Sequence, residues 1–296
     1  MNASDRPIDC TKTGSLTVNR NFAALLADSG LGSFEALWHC RAGRPIKQIA
    51  PRSVVCIEIA DASPGGLFYL KRHYREYLGP GRLLPPGLHR RCRSQGRLEF
   101  ENIAAFRRSS LATVSPAAWG ERARGRLWAE SLLLTADFAP FVPLEAIVRD
   151  TPEFFAGRRG RQHKKSVLEA VGRYARRMHA AGFNHRDFNA THILLDFAEH
   201  SRGPAVALFD LQRIDRCRLF RFRWIIKSLA ELYYTLPSPL FGPQDLIFLF
   251  QAYKNKRRLS LWDRFQLWWI KRKTARIARH TQKRRARRRA ARQTGQ

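Results

Sequence analysis

Residues 184–197 read NHRDFNATHILLDF. A polar run with two histidines, an arginine and an aspartate passes directly into an apolar segment of strand length. Upstream lies KKSVLEAVGRYARRMHAAG, where Val167, Leu168, Val171, Tyr174, Ala175 and Met178 step by three and four. That spacing predicts a long amphipathic helix, ended by Gly182 as a left-handed C-cap. Downstream, HILLDF and AVALFDL read as two short strands joined by the polar AEHSRGP, a predicted hairpin. Asp187 therefore stands on a loop between a helix and a hairpin, a position suited to chemistry rather than to packing.

Further out, SVVCIEIA (53–60) and GLFYLKRHY (66–74) are β-rich and separated by DASPGG, so they read as consecutive antiparallel strands. After a basic stretch rich in Pro and Gly, GRLEFENIAAFRRSSLA carries Leu98, Ile103 and Phe106 and reads as a helix. SLLLTADF is a further strand, and the change of texture from Asp137 to Pro143 suits a hinge. RWIIKSLAELYY and PQDLIFLFQAYKN complete the pattern as helices.

The 296 residues suffice for two cores, and 44% hydrophobic content excludes disorder throughout. Fifty-four Lys and Arg against 24 Asp and Glu leave a net charge of +30, which calls for polyanionic partners. Five cysteines without a Cys-x-x-Cys pair favour reduced thiols over disulfides or zinc. No segment reads as a signal peptide or a transmembrane helix.

The order of lysine strand, glutamate helix, hinge strand, long helix, His-Arg-Asp loop, hairpin and Asp-Leu-Gln-Arg resembles the protein-kinase fold. The resemblance implies an α+β, two-lobed protein-kinase-like architecture, with a small β-rich N-lobe and a mainly helical C-lobe. It also implies that Lys71 neutralises the phosphates of ATP and that Glu99, alternatively Glu101, pairs with it. Glu99 is preferred because Ile103 and Phe106 share its helical face. Asp187 takes the place of the catalytic base and Asp210 that of the Mg²⁺ ligand. The chain departs from the pattern in having Asn189 and His192 after the base, and Asp210-Leu211-Gln212 in place of Asp-Phe-Gly. About a dozen residues separate Asp210 from RWIIKSLAELYY, too few for the platform that holds a peptide substrate. A phosphate-covering loop is marked weakly by Gly43 in RAGRP.

YLKRH, EFENIAAF, SLLLT, GFNHRDFNATHILL, LFDLQRI and RWIIKSLAELYY, in order over roughly residues 60–255, resemble the lipopolysaccharide core kinase family, the heptose and Kdo kinases. A histidine at the place of His192 belongs to that family's pattern, as metal or loop support. Ser228 departs from it, since aspartate is usual there. The resemblance implies a cytoplasmic enzyme, peripheral on the inner membrane. It would use ATP and Mg²⁺ to phosphorylate a heptose or Kdo hydroxyl of a lipid-linked acceptor, the lipopolysaccharide inner core. The alternatives are a kinase of this fold acting on another small molecule or on protein, and a non-catalytic adaptor binding membrane or nucleic acid.

The expected division is a loose leader (1–30), a nucleotide-binding N-lobe (31–136), a catalytic C-lobe (137–260) and a basic aromatic tail (261–296). From Lys271 to Arg292 the tail has twelve Lys and Arg and no acid, preceded by Trp262, Trp268 and Trp269. The preferred reading is a helix on an anionic membrane surface with tryptophans at the interface. Nucleic-acid binding and a solvated tail are the competing readings. Nothing in the sequence marks an oligomeric state.

Overall fold

The computed structural model describes residues 8–59, 66–79, 93–198, 203–216 and 221–293. Most of the DASPGG turn and of the Pro/Gly-rich basic stretch lies outside them. The chain divides into one unit of Met1–Ala139 with Phe209–Gln212, and a second of Pro140–Leu208 with Arg213–Gln296.

The first unit is an antiparallel sheet with helices. In chain order it contains β1 (Cys10–Thr13), β2 (Leu16–Asn19), α1 (Ala23–Asp28), α2 (Phe34–His39), β3 (Arg44–Ile49), β4 (Arg52–Glu58), β5 (Leu67–Tyr77), α3 (Gln95–Arg108), β6 (Pro116–Ala123) and β7 (Trp128–Ala136). The strand order is β1-β2-β6-β7-β5-β4-β3. β7 is central, and its Leu132, Leu133 and Leu134 are all fully buried, as a strand covered on both faces requires. Leu132 and Leu134 join Leu16, Phe34 and Leu70 in one core, while α3 packs against β7 and β6. The expected pairing of the lysine strand is present: in β5, Lys71 lies opposite Val54 of β4 and Leu133 of β7.

From Cys10 onward, the expected loose leader is instead part of this sheet. β1 and β2 form a hairpin, β2 pairs with β6, and the Asn19 amide donates to the Pro116 carbonyl at 2.9 Å. Strands of four residues are too short to show a period, and their burial depends on partners about a hundred residues away. β3 is exposed along its whole length at the sheet edge, so it carries no hydrophobic signal either.

The second unit contains β8 (Val142–Pro143), α4 (Leu144–Asp150), α5 (Gly157–Ala180), β9 (Phe183–His185), β10 (Ile193–Asp196), β11 (Ala205–Leu208), β12 (Ile214–Arg216), α6 (Arg221–Thr235), α7 (Pro243–Lys254) and α8 (Leu261–Gln293). Gly182 has φ +86° just after α5, which it can adopt without a Cβ clash. The predicted hairpin is β10–β11, joined by β8 into three strands. β9 pairs with β12, which brings the segment before Asp187 beside the segment after Gln212.

α8 is a single helix of 33 residues, roughly 50 Å long. Its first half is not a free tail. Leu267 and Ile270 are buried, the Thr274 hydroxyl donates to the Ala230 carbonyl, and α8 packs along α6. Asp263, buried near its start, accepts from Ser260 and pairs with Lys254 at 2.9 Å, which holds its carboxyl far below the usual range despite the opposing effect of burial.

Leu16→Ala should cost about 2–5 kcal/mol, because the removed atoms leave a cavity in the sheet core. Urea unfolding measures this; a loss within error would return β2 to the status of a leader.

Candidate active site

In the first unit, Lys71 is nearly buried between two carboxylates. Its ammonium donates to Glu99 Oε1 at 2.7 Å and to Asp210 Oδ1 at 3.1 Å. Burial pulls the ammonium toward neutrality, but the two carboxylates outweigh it and raise its pKa, so Lys71 stays charged.

Glu99 comes from α3, capped by Ser94, whose hydroxyl accepts from the Arg97 N–H. At Gly96 a Cβ would stand 2.7 Å from the Leu132 carbonyl oxygen, so glycine is what lets the helix approach β7 this closely. Ile103 and Phe106, on the face of Glu99, are fully buried. Glu101, the alternative partner, pairs instead with Arg93 and Arg97.

Asp210 has φ +57°, a strained left-handed conformation for a residue with a side chain, although aspartate tolerates it better than most. Its neighbours hold it there. Phe209 stacks on Phe138, which stacks on Tyr69. Leu211 is fully buried, and its carbonyl accepts from the Asn102 amide of α3 at 2.7 Å. Gln212 replaces the glycine of Asp-Phe-Gly. It accepts from Arg52 at 3.2 Å, and its amide lies 3.1 Å from His73 Nε2. Burial, reinforced by Arg52 and Lys71, pushes the pKa of His73 down to about 4. The ring is therefore neutral and takes the Gln212 N–H at Nε2. With both ends of the amide engaged, no flexible hinge remains.

Gly43 stands at the base of β3 rather than at its turn with β4, which is Ala50–Pro51. With φ +111° and a Cβ position 2.3 Å from the Cys56 carbonyl oxygen, it serves a close strand approach. The expectation that Gly43 lies in a phosphate-covering loop is corrected accordingly.

In the second unit, two imidazoles hold Asp187 by its backbone. Its N–H donates to His185 Nδ1 at 3.1 Å, and its carbonyl accepts from His192 Nδ1 at 2.8 Å. The latter bond fixes the His192 proton on Nδ1 and, in the neutral ring, the lone pair on Nε2. Asn189 builds the intervening turn, its side-chain oxygen accepting from the N–H groups of Thr191 and His192. The Asp187 carboxylate accepts from Arg213 Nη1 at 2.8 and 3.1 Å.

Beneath this loop runs a chain of polar groups that starts at the surface and is buried from Asn184 inward. Arg186 and the Asn184 amide both donate to Asp215. The Ser228 hydroxyl donates to Asn184 Oδ1 at 2.8 Å, His179 Nε2 lies 3.3 Å from Ser228, and His179 Nδ1 lies 3.0 Å from the Tyr253 hydroxyl. Since Ser228 spends its proton on Asn184, His179 Nε2 must donate and Nδ1 accept. This matches the neutral ring that burial enforces, with a pKa of about 4.

Sequence reading missed Asn102, Arg52, Arg213 and Asp215. Asp215 and Arg213 follow LFDLQ closely, so the signal was present; Asn102 sits one turn from Glu99 on a face read as apolar.

A β-rich unit gripping a lysine between helix and loop carboxylates, with a largely helical unit carrying the His-Arg-Asp loop, defines a protein-kinase-like phosphotransferase fold. The model for the lipopolysaccharide kinase (Kdo/WaaP) family matches residues 90–253, more than half of the chain, and the chain belongs to that family. It is 32% identical over 189 residues to the lipopolysaccharide core heptose(I) kinase WaaP of Pseudomonas aeruginosa, covering 61% of this chain and 68% of that one. Against WaaP of Escherichia coli it is 31% identical over 144 residues, 46% of this chain and 51% of the relative. A solved structure of WaaP in complex with acyl carrier protein superposes with a TM-score of 0.65 at 25% identity, over 88% of this chain and 98% of the other. Membership makes the chain an ATP-using phosphotransferase.

The buried histidines give a pH prediction. Between about pH 6.5 and 4 the unfolded chain takes up protons that folded His73 and His179 refuse, so stability is full above this window and falls as pH drops through it. Each contributes on the order of 3 kcal/mol across the whole window. Urea midpoints between pH 7 and 5 should fall for the wild type and fall less for His73→Gln; equal slopes would contradict neutral burial of His73.

Proposed function

We propose that this chain transfers the γ-phosphate of ATP to a sugar hydroxyl of the lipopolysaccharide inner core, with heptose as the sugar its relatives' names support and Kdo as the other. The observation that carries the reading is the Lys71 ammonium fixed between Glu99 and Asp210. A cation held this way neutralises nucleotide phosphates without swinging away from them.

In this reading the first unit supplies the nucleotide grip. Asp210 offers a hard carboxylate oxygen, and the described residues contain no cluster of three or more His, Cys, Asp or Glu that could hold a metal. That donor set fits Mg²⁺, which is commonly held by one or two carboxylates together with substrate phosphates. Bound there, Mg²⁺ would neutralise charge on the phosphates. His192, engaged through Nδ1 with the Asp187 carbonyl, has loop support as its main role, and Nε2 is the atom through which it would assist a metal.

The second unit supplies the base. Asp187 accepts the proton of the acceptor hydroxyl as its oxygen bonds to the γ-phosphorus. The bond from that phosphorus to the β–γ bridging oxygen breaks, and ADP leaves. Arg213 keeps the carboxylate oriented until the acceptor arrives. Ten residues, 211–220, separate Asp210 from α6, which leaves little room for a peptide-binding platform and favours a non-protein acceptor.

A peripheral place on the cytoplasmic face of the inner membrane suits a lipid-linked acceptor. No helix among the described residues is long and apolar enough to cross a membrane. Phe222, Trp262, Phe265 and Trp268 form a stacked, exposed aromatic row beside the basic half of α8, an arrangement suited to an anionic interface, where each nearby cation contributes about 1 kcal/mol.

Asp187→Asn should lower phosphate transfer to purified core acceptor by about 10²- to 10⁴-fold, while ATP affinity by calorimetry stays within about threefold. Undiminished turnover would remove Asp187 from the chemistry.

A further inference from the structure

The second unit contains a cavity of about 930 Å³ between α6 and α8, at the upper end of the range for small-molecule sites. Phe222 and Ile226 from α6 and Trp269 from α8 make it apolar. Arg272, Lys273 and Arg276 from α8 line it as well, and no carboxylate is among its lining residues. Glu231, outside the lining, offsets part of the charge of Lys227 and Lys273, and an anion seated in the cavity would offset that of Arg272 and Arg276. A free phosphate would leave the apolar walls unused, and a neutral lipid would leave the cations unused. The walls together fit a molecule with an apolar part and several negative charges.

The cavity's α6 wall also packs on the loop that carries the base. Lys227 precedes Ser228, whose hydroxyl donates to Asn184 at 2.8 Å, three residues before Asp187, and farther along α6 the Thr235 hydroxyl accepts from the Ala190 N–H, three residues after it. Lys227 and Glu231 both sense the Asp187 carboxylate accordingly. One wall of the cavity therefore shares its electrostatic environment with the loop that carries Asp187. Phe222 of the lining also stacks with the exposed Trp262 and Phe265, so the cavity's apolar wall is continuous with an exposed aromatic surface.

We propose that the α6–α8 cavity is the acceptor site: it takes an anionic glycolipid, with the lipid part on Phe222, Ile226 and Trp269, the negative groups on the α8 cations, and the saccharide directed past Lys227 toward Asp187. This rests on the kinase reading above and adds the acceptor's binding chemistry to it. The cations hold the substrate and take no part in bond making.

The test uses the full chain and the double variant Arg272→Glu/Arg276→Glu, with circular dichroism and ATP affinity as checks on folding. In turnover with lipid-linked core, the variant should raise the KM for acceptor about tenfold or more, with the KM for ATP and kcat at saturation within about twofold. In an arm independent of turnover, binding is measured to phosphatidylcholine vesicles containing either core glycolipid or phosphatidylglycerol at matched charge. Wild type should prefer the glycolipid vesicles, and the variant should lose that preference. Equal binding to both vesicles, weakened equally by the substitutions, would reassign the cavity to general membrane attachment. Binding of acyl carrier protein lost in the same variant, without glycolipid preference, would reassign it to a protein partner. If the variant does not fold, Trp269→Ala is measured in the same arms, and an unchanged glycolipid preference overturns the proposal. Wild type that prefers the glycolipid yet transfers no phosphate would refute the kinase reading while leaving the site standing.

Discussion

A lysine ammonium taken out of water is costly unless oppositely charged groups surround it. Lys71 meets that condition with two carboxylates from distant parts of the sequence, so one side chain ties β5 to α3 and to the Phe209–Gln212 segment. Much of the first unit follows from this. α3 must come close enough to β7 for Glu99 to reach, hence glycine at position 96. The Asp210 backbone must turn into a strained conformation to present its carboxylate, hence the stacked rings on one side and the Asn102 and Gln212 bonds on the other. Removing any one carboxylate would leave the cation underpaired in a poorly hydrated place, a loss greater than that of an exposed ion pair.

The second unit solves a different problem: it fixes a loop through hydrogen bonds to its main chain and a polar relay behind it. His185 and His192 hold the backbone of Asp187 from either side, and below them Tyr253, His179, Ser228 and Asn184 pass hydrogen bonds down to the charged pair of Asp215 and Arg186. Ser228 explains how the chain manages without the aspartate usual in its family. A carboxylate facing His179 would favour the imidazolium in a buried place; a hydroxyl that donates to Asn184 and accepts from His179 leaves every member neutral and satisfied.

How much of this was readable beforehand depended on whether a residue's role is local. Lys71, Asp187 and Asp210 stood out because strand, loop and hairpin signals surround them, and Glu99 could be preferred over Glu101 because its apolar neighbours recur at helical spacing. β1, β2 and β3 could not be read, since strands of four to six residues with exposed or mixed faces acquire meaning only through pairing. Gly43 misled because a glycine needed for a tight approach to Cys56 has the same appearance in sequence as one needed for a phosphate. His192 was legible as a departure but not as a bond, because its partner is a main-chain carbonyl.

The charge of α8 also divides by packing rather than by composition. Its first turns are anchored by Asp263 between lysines and by Leu267 and Ile270 in the core, so the cations that follow at Lys271, Arg272, Lys273 and Arg276 project from a rigid rod rather than a loose chain. A flexible polycation binds any polyanion, with an affinity that depends mostly on charge count. Cations fixed on a helix beside Phe222, Ile226 and Trp269 instead have defined spacings and an apolar neighbour, so they can discriminate among anionic partners by shape. Under the proposed acceptor site, that fixed spacing is what would let a chain of net charge +30 select one anionic partner among many.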